Sequence, residues 1–183
     1  SKTPGLSDEE AGKLLDAAKG NAKYYAVIST LLYCGLRRSE LCQIKMSDIT
    51  MEKAVRALQV LGKGRKVRRI PMSDLVWNAI EQHISNTFIV DNIPMSNDSY
   101  IFKMHPASVR KIVNKLCKIA GIKTVSPHAL RATAVSNAID NGANFVELQY
   151  AFGWSNPAMV NRYDKRRSQM KNSAVLKINY GGK

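Results

Sequence analysis

The chain has 183 residues, enough for one well-buried core and too few for two. Its hydrophobic share of 45% is typical of a globular domain and argues against a wholly disordered chain. An excess of 28 Lys and Arg over 14 Asp and Glu gives a formal net charge of +14 and a pI near 9.9. Such an excess repels itself unless a polyanion offsets it, and nucleic acid is the commonest such partner. A membrane surface and a merely solubilising surface are the alternatives.

The sequence carries no signal for a membrane or for secretion. It has no run of 18 apolar residues and no apolar region at its N-terminus, so we expect a cytoplasmic chain without a membrane partner. Cys34, Cys42 and Cys117 form no CxxC pair and do not stand at metal-ligand spacing with the three histidines. Buried free thiols in a reducing compartment are therefore expected.

The first half of the chain predicts three helices followed by a small sheet. Ser7 and Glu10 form a capping-box pattern that predicts a helix over residues 8–19. A more buried helix is expected over 22–34, with Gly35 as a left-handed cap, and a short third helix over 38–44. Residues 49–72 alternate and are rich in β-branched side chains, with a turn at 62–64, which predicts a β-hairpin or a three-stranded sheet.

The second half predicts further helices separated by proline and glycine. Helical spacing returns in five segments: 73–85, 106–120, 127–141, 145–152 and 157–162. Residues 86–99 are polar and contain one proline, so they are interpreted as a loop. The predicted fold class is mainly α with a small antiparallel β-sheet (α+β).

Each of four separated segments combines a potential catalytic group with a glycine or a proline typical of the start or end of a structural element. In the first, Arg37 follows a helix-ending glycine, where its guanidinium can fork onto an oxyanion, and Glu40 lies three residues further on and can brace it. In the second, Lys63 stands between two glycines at the hairpin tip and can reach a DNA groove or an active site. The alternatives are an exposed helix start with a local ion pair and a solubilising edge hairpin.

The third and fourth segments lie in the C-terminal half. His128 and Arg131 are three residues apart on a helix that begins with proline, so both project from its first turns, where the helix N-terminus favours a phosphate. Trp154 follows a glycine, and Tyr163 ends a short helix opened by a proline. Taken singly, the histidine is as well explained by a capping role, and the tyrosine by packing.

Taken together, the four segments resemble the tyrosine recombinase (phage integrase) family over nearly the whole chain. The family pattern G-[LM]-R-x-x-E is matched around Arg37, its G-K-G hairpin at Lys63, and its H-x-x-R pair at residues 128–131. A Gly-[His/Trp] segment, here ending in Trp154, stands nine residues before the family's tyrosine. Most members have His where this chain has Trp154, and Ala132 replaces a second His that often follows the arginine. The implied catalytic residues are Arg37, Lys63, His128, Arg131, Trp154 and Tyr163.

The resemblance implies the tyrosine recombinase catalytic-domain fold and a transesterification that uses neither metal nor nucleotide. Tyr163 is expected to attack a scissile DNA phosphate, giving a 3′-phosphotyrosyl link and a free 5′-hydroxyl. The two arginines would hold the non-bridging oxygens, His128 would serve the phenol as acid–base partner, and Lys63 would protonate the departing oxygen. Trp154 would donate a hydrogen bond to a non-bridging oxygen.

The resemblance also implies partners and a domain arrangement. Residues 1–183 would form a single catalytic domain without the family's N-terminal core-binding domain, and residues 164–183 a tail. That tail either packs on a neighbouring protomer or docks on its own chain. Double-stranded DNA and further copies of the protein, in a tetrameric synapse, are the expected partners, and a prokaryotic, phage or mobile-element origin is expected. A type IB topoisomerase, a telomere resolvase and a DNA-binding regulator without catalysis are the alternatives.

Overall fold

The computed structural model describes residues 4–154, 170 and 172–181. Seven α-helices and three strands are found in this part of the chain. In chain order they are α1 (Asp8–Ala18), α2 (Ala22–Cys34), α3 (Arg38–Cys42), β1 (Ile49–Glu52), β2 (Val55–Leu61), β3 (Val67–Pro71), α4 (Asp74–Asp91), α5 (Pro106–Ala120), α6 (Pro127–Asp140) and α7 (Phe145–Phe152). The mainly α fold with one small sheet is thus confirmed.

Helix α2 forms the centre of the main hydrophobic core. Seven consecutive residues, from Ala26 to Leu32, are buried, as is typical of a helix surrounded by other elements. It packs against α1, α4, α5 and α6. Gly35 ends it in the left-handed conformation, with φ at 64°, as predicted. The sharp exit turns the chain directly into α3 and so fixes where Arg37 lies.

The sheet is antiparallel with the strand order β1-β2-β3. Strands β2 and β3 are joined by the predicted turn, and the pairing of Leu61 with Val67 closes the hairpin. Leu58 and Ile70 pair and are both fully buried, so one face of the sheet packs on the core. The prediction left a hairpin and a three-stranded sheet open, and the chain forms the three-stranded sheet.

Helix α4 corrects one prediction. The loop predicted over 86–99 begins only after Asp91, because α4 continues for six residues beyond its expected end at 85. The polar residues around Asn86 face solvent on a helix rather than forming a loop, and the Thr87 hydroxyl donates to the His83 carbonyl one turn earlier. The helix stops at Asn92, which adopts the left-handed conformation at φ 51°.

A second, smaller hydrophobic cluster joins α6, α7 and residues 172–181, here named the C-terminal segment. Ala174 and Ile178 of this segment pack with Phe152 and the small residues of α6. The Tyr180 hydroxyl donates to the Leu32 carbonyl, and the Asn179 backbone N–H donates to the Asn137 side chain. Exchange of the tail between protomers stays a prediction.

The remaining expectations concern thiols, membranes and the last helix. Cys34 and Cys117 are buried free thiols as predicted, whereas Cys42 is only half-buried. Within 4–154 and the C-terminal segment, no helix has both the length and the apolar character needed to cross a membrane. The helix predicted over 157–162 lies outside the described residues.

Candidate functional site

A buried carboxylate surrounded by arginines lies where α3, β3, α6 and the end of α7 meet. Glu40 is 4% exposed and contacts three guanidinium groups. Its oxygens accept hydrogen bonds from Arg68 Nη1 at 2.8 Å and Nη2 at 3.1 Å. Arg37 Nη1 lies 3.2 Å from Oε2, and Arg131 Nη1 lies 3.8 Å from Oε1. We call these four residues, Arg37, Glu40, Arg68 and Arg131, the arginine cluster.

Arg37 is held at the start of α3 by the brace that its spacing predicts. It is the N-cap residue, in extended conformation, and its backbone N–H donates to Glu40 Oε1 at 2.8 Å. The Glu40 carboxylate therefore fixes both the main chain and the side chain of Arg37. Because the Arg37 side chain is about one-third exposed, its guanidinium remains open to a ligand.

Arg131 is the most enclosed cation of the predicted set. It is 5% exposed, donates to the Gly35 carbonyl at 2.7 Å and also donates to the Phe152 carbonyl. Burial, followed by the nearby charge of Arg37, lowers the pKa of its guanidinium to about 10, against the opposing effect of Glu40. Arg131 is thus still charged at neutral pH but would gain from an additional anion.

The cluster includes Arg68, which was not among the predicted site residues. Arg68 lies on β3, is 8% exposed, and uses Nε to donate to the Ala151 carbonyl at 2.8 Å. The sequence places it inside a basic run typical of a solvated hairpin. Strand alternation is the signal that could have found it: Arg68 shares the inward face with Ile70, and a buried arginine requires a partner.

His128 and Arg37 line the same cleft, which has a volume of about 360 Å³. It lies between the N-terminus of α3 and that of α6, and Arg110 of α5 adds a further cation. Its lining, as far as the structure describes it, contains three arginines and no carboxylate. His128 is exposed and lines the cleft, whereas Arg131, one turn later on the same helix, is buried and does not line it. The arginine side chains of the lining favour a phosphate here.

Lys63 stands beside the arginine cluster at the tip of the hairpin. A methyl group on the preceding residue, Gly62, would lie 3.3 Å from both Glu40 Oε2 and Arg68 Nη1. The turn of the hairpin therefore packs against the cluster at Gly62, while Lys63 itself is exposed. The backbone approach depends on glycine at 62.

Trp154 follows the end of α7 and packs against aromatic rings. Its ring centroid lies 6.2 Å from that of Phe152 and 6.3 Å from that of Phe145. Gly153, at φ 70°, ends the helix so close to β3 that a methyl group there would lie 3.1 Å from Arg68 Nη1. Trp154 therefore directly follows a residue, Gly153, that lies beside the arginine cluster. Tyr163 lies outside the described residues.

The charges of the cluster do not balance, since three guanidinium groups face one carboxylate. Burial raises the pKa of Glu40, but hydrogen bonds and charge from Arg68, with contributions from Arg37 and Arg131, outweigh it and hold that pKa below its usual value. The carboxylate is therefore ionised at neutral pH and still leaves positive charge uncompensated. An anion with several oxygens, such as a phosphodiester, would complete the arrangement.

Comparison with known proteins places the chain in a family. A model described as the phage integrase family matches residues 5–170. A tyrosine recombinase of Pseudothermotoga lettingae is 32% identical over 178 residues, covering 94% of this chain and 60% of the relative. The tyrosine recombinase XerC of Corynebacterium glutamicum is 30% identical, covering 82% of this chain and 50% of the relative. The chain therefore spans between half and 60% of the length of these relatives.

Solved structures agree with the sequence comparison. The crystal structure of XerA recombinase superposes with a TM-score of 0.72 at 27% identity, covering 88% of this chain and 60% of that one. The Tn1549 transposon integrase, in complex with transposon right end DNA, has a TM-score of 0.68 at 25% identity, covering 90% of this chain and 62% of that one. With a family model matched over residues 5–170 and a shared fold, the chain belongs to the phage integrase family, that of the tyrosine recombinases.

Proposed function

We propose that this chain is the catalytic domain of a site-specific DNA recombinase that cleaves and rejoins strands through a phosphotyrosyl intermediate. The observation that carries the proposal is the arginine cluster. Its uncompensated positive charge lies beside a cleft that also holds His128, and Lys63 stands within reach of the same region. Charge stabilisation of this kind lowers the barrier when the ligand gains charge in the transition state, as a phosphodiester under attack does.

The proposed step conserves bonds and needs no redox partner. The Tyr163 oxygen attacks phosphorus, a P–O bond to tyrosine forms, and the P–O5′ bond breaks. The phenol proton passes to His128, and Lys63 donates a proton to the departing 5′ oxygen. The positive charges of Arg37 and Arg131 stabilise the non-bridging oxygens, on which negative charge develops. Attack by the 5′-hydroxyl of another strand then reverses the step and releases Tyr163.

The geometry supports these roles unequally. Arg37 is partly exposed and lines the cleft, so it can meet a phosphate directly. Arg131 donates hydrogen bonds to two backbone carbonyls, so it would act mainly through its charge and by fixing the position of those carbonyls. In the described conformation Trp154 packs on Phe145 and Phe152, which supports a role as pocket wall, and its hydrogen bond to phosphate stays a prediction.

The test is covalent trapping on a pool of nicked duplexes with randomised sequence ahead of the nick, in buffer containing EDTA. Cleavage close to the nick releases a short strand that diffuses away, which leaves protein attached to DNA. We expect an adduct that survives denaturing detergent, with Tyr163→Phe abolishing it. Peptide mapping should place the DNA on Tyr163, and sequencing of the trapped strands reports the preferred site.

The opposite outcome favours a different class of protein. Binding to the same duplexes without any adduct, at equal yield for the wild type and Tyr163→Phe, would indicate a DNA-binding regulator on this fold. If the protein forms the adduct and relaxes supercoiled plasmid but does not exchange strands, a type IB topoisomerase would be indicated. Hairpin-ended products would indicate a telomere resolvase. Recombinant joints between two differently labelled duplexes are the result expected here.

Partners and domain limits form part of the same proposal. The substrate is double-stranded DNA, and strand exchange requires further copies of the protein, assembled as a tetramer on two sites. We propose that residues 1–183 act as one catalytic domain, because the elements of the site come from α3 through α7. We also propose that this domain acts in the cytoplasm. Its similarity to the Tn1549 integrase, solved with transposon DNA, supports the choice of substrate. Crosslinking on DNA, resolved by mass, tests the assembly.

A further inference from the structure

We propose that Arg68 is a positioning residue of the active site, which sets the register between the phosphate-binding arginines and the segment that leads to the nucleophile. The inference deepens the proposed function and rests on it. Arg68 is not among the residues that the sequence pattern identifies, and it neither lines the cleft nor reaches its surface.

Arg68 fixes the orientation of the Glu40 carboxylate. The two guanidinium nitrogens meet the two carboxylate oxygens at 2.8 and 3.1 Å, a bidentate pair with fixed orientation. Glu40 in turn accepts from the backbone N–H and the side chain of Arg37. Rotation of the carboxylate would therefore move Arg37, so Arg68 fixes the position of Arg37 indirectly, through Glu40.

Arg68 also binds the C-terminal end of α7. Its third donor, Nε, binds the Ala151 carbonyl in the last turn of that helix, and Arg131 binds the next carbonyl, that of Phe152. Two buried cations thus hold consecutive carbonyls at the C-terminal end of α7, where the helix dipole favours positive charge. The chain leaves this end through Gly153 to Trp154, and Tyr163 follows nine residues later.

Lysine cannot replace Arg68 in making this connection. A lysine would bring the same charge but only one nitrogen, and it cannot bind both carboxylate oxygens and a carbonyl in a planar fork. The neighbouring backbone is also close, because a methyl group added at Gly62 or Gly153 would lie 3.3 or 3.1 Å from Arg68 Nη1. Arg68 therefore joins the hairpin of Lys63, the brace of Arg37 and the exit of α7.

The experiment compares Arg68→Lys and Arg68→Met with Arg69→Met on the nicked-duplex pool. Arg69 is the matched control, since it is the next residue on β3, carries the same charge, and pairs at the surface with Glu52 at 3.1 Å. Each variant is measured for its cooperative melting transition, its affinity for duplex and its rate of adduct formation at saturating DNA. For Arg68→Lys we expect affinity within about threefold of the wild type and a rate at saturation lower by at least about tenfold, since small misplacements of reacting groups are costly. Arg69→Met should keep the wild-type rate.

Each alternative outcome is decisive. A wild-type rate for a folded Arg68→Lys would overturn the proposal, as would a rate deficit that saturating DNA removes, because that would make Arg68 a DNA contact. Loss of the melting transition in Arg68→Lys would assign the residue to the fold instead of the site. If the wild type forms no adduct that depends on Tyr163, the proposed function fails and the inference falls with it.

Discussion

Among the residues that the structure describes, the Glu40 carboxylate is the anion that offsets three guanidinium groups, and its removal should be costly. In Glu40→Gln the amide cannot balance the charge of Arg68 and Arg131, which are both buried. Breaking a buried ion pair by neutralising one partner costs about 3 to 5 kcal/mol, and we expect the free energy of unfolding to fall by about that amount. Urea unfolding measures it. Glu9→Gln is the control, since Glu9 is 81% exposed in its pair with Lys13 and should change stability by less than about 0.5 kcal/mol.

The same carboxylate predicts an acid dependence with a defined sign. The folded-state pKa of Glu40 lies below its unfolded value, which is about 4.3 for a free glutamate. The stability contributed is therefore fully present above the unfolded pKa and is lost as the pH falls through the folded pKa. Between about pH 6 and pH 3, the free energy of unfolding should drop more steeply for the wild type than for Glu40→Gln. Parallel curves for the two proteins would contradict this assignment.

Residue-level prediction worked where the interaction is local. The contact between Arg37 and Glu40 follows from a spacing of three residues, and the structure confirms it at 3.2 Å. Arg68 and Glu40 are 28 residues apart, so their pairing depends on how β3 packs against α3 and could not be found from spacing. The register of a strand in its sheet decides which residue of a basic run is buried. Here the neighbouring charged residues indicated an exposed hairpin and so concealed the burial of Arg68.

At the scale of elements, the exit of α2 is the turn on which the site depends. Gly35 has φ at 64°, its carbonyl accepts from Arg131, and a methyl group on it would overlap the Phe152 ring. Gly35→Ala therefore combines a left-handed backbone with a steric clash, and we expect a loss of about 3 kcal/mol or more in the free energy of unfolding. Adduct formation should fall with it at temperatures where the protein is folded, because relief of the clash with Phe152 would displace the residue 35 carbonyl that accepts from Arg131.

Two further glycines separate these two effects. Gly121 ends α5 at φ 70° with open space around it, so Gly121→Ala reports the backbone cost alone, about 1 kcal/mol. Gly12 lies within α1 and also faces open space, so Gly12→Ala should raise stability by up to about 1 kcal/mol. Equal losses for Gly35→Ala and Gly121→Ala would show that the contact with Phe152 is unimportant.

Capping signals predicted helix ends well, and composition predicted the loop after α4 poorly. Ser7, Gly35 and Gly121 mark helix limits because they satisfy backbone groups locally, whatever the rest of the fold does. The end of α4 is different. Its last turns are held by backbone hydrogen bonds and by the Thr87 hydroxyl on the His83 carbonyl, which polar composition conceals.

At the scale of the whole molecule, contacts between the two chain ends are what the sequence could not reveal. Asn137 of α6 donates to Asp8 of α1 and to the Asn179 carbonyl of the C-terminal segment. These partners are 129 and 42 residues away, and none of the three belongs to a motif. The apolar residues of the tail indicated only that it would pack somewhere. Its place against α6 and α7 depends on the cluster formed there by Phe152 and its neighbours.

The net charge of +14 predicts strongly salt-dependent binding to DNA. Each phosphate that a cation neutralises releases condensed counterions, so the logarithm of affinity should fall by about 0.9 per contact for each tenfold rise in salt. A domain making six to ten such contacts loses about 10³-fold or more in affinity between about 50 and 200 mM salt. Fluorescence anisotropy with a non-specific duplex measures the slope.

Arg110→Ala, which removes a cation from the cleft, should reduce this slope by about one, since it deletes one phosphate contact. Lys19→Ala removes the same charge from a residue already paired with Asp16 at 2.9 Å, and should leave the slope unchanged. Equal slopes for Arg110→Ala and the wild type would mean that DNA does not enter the cleft, and that the charge serves another surface.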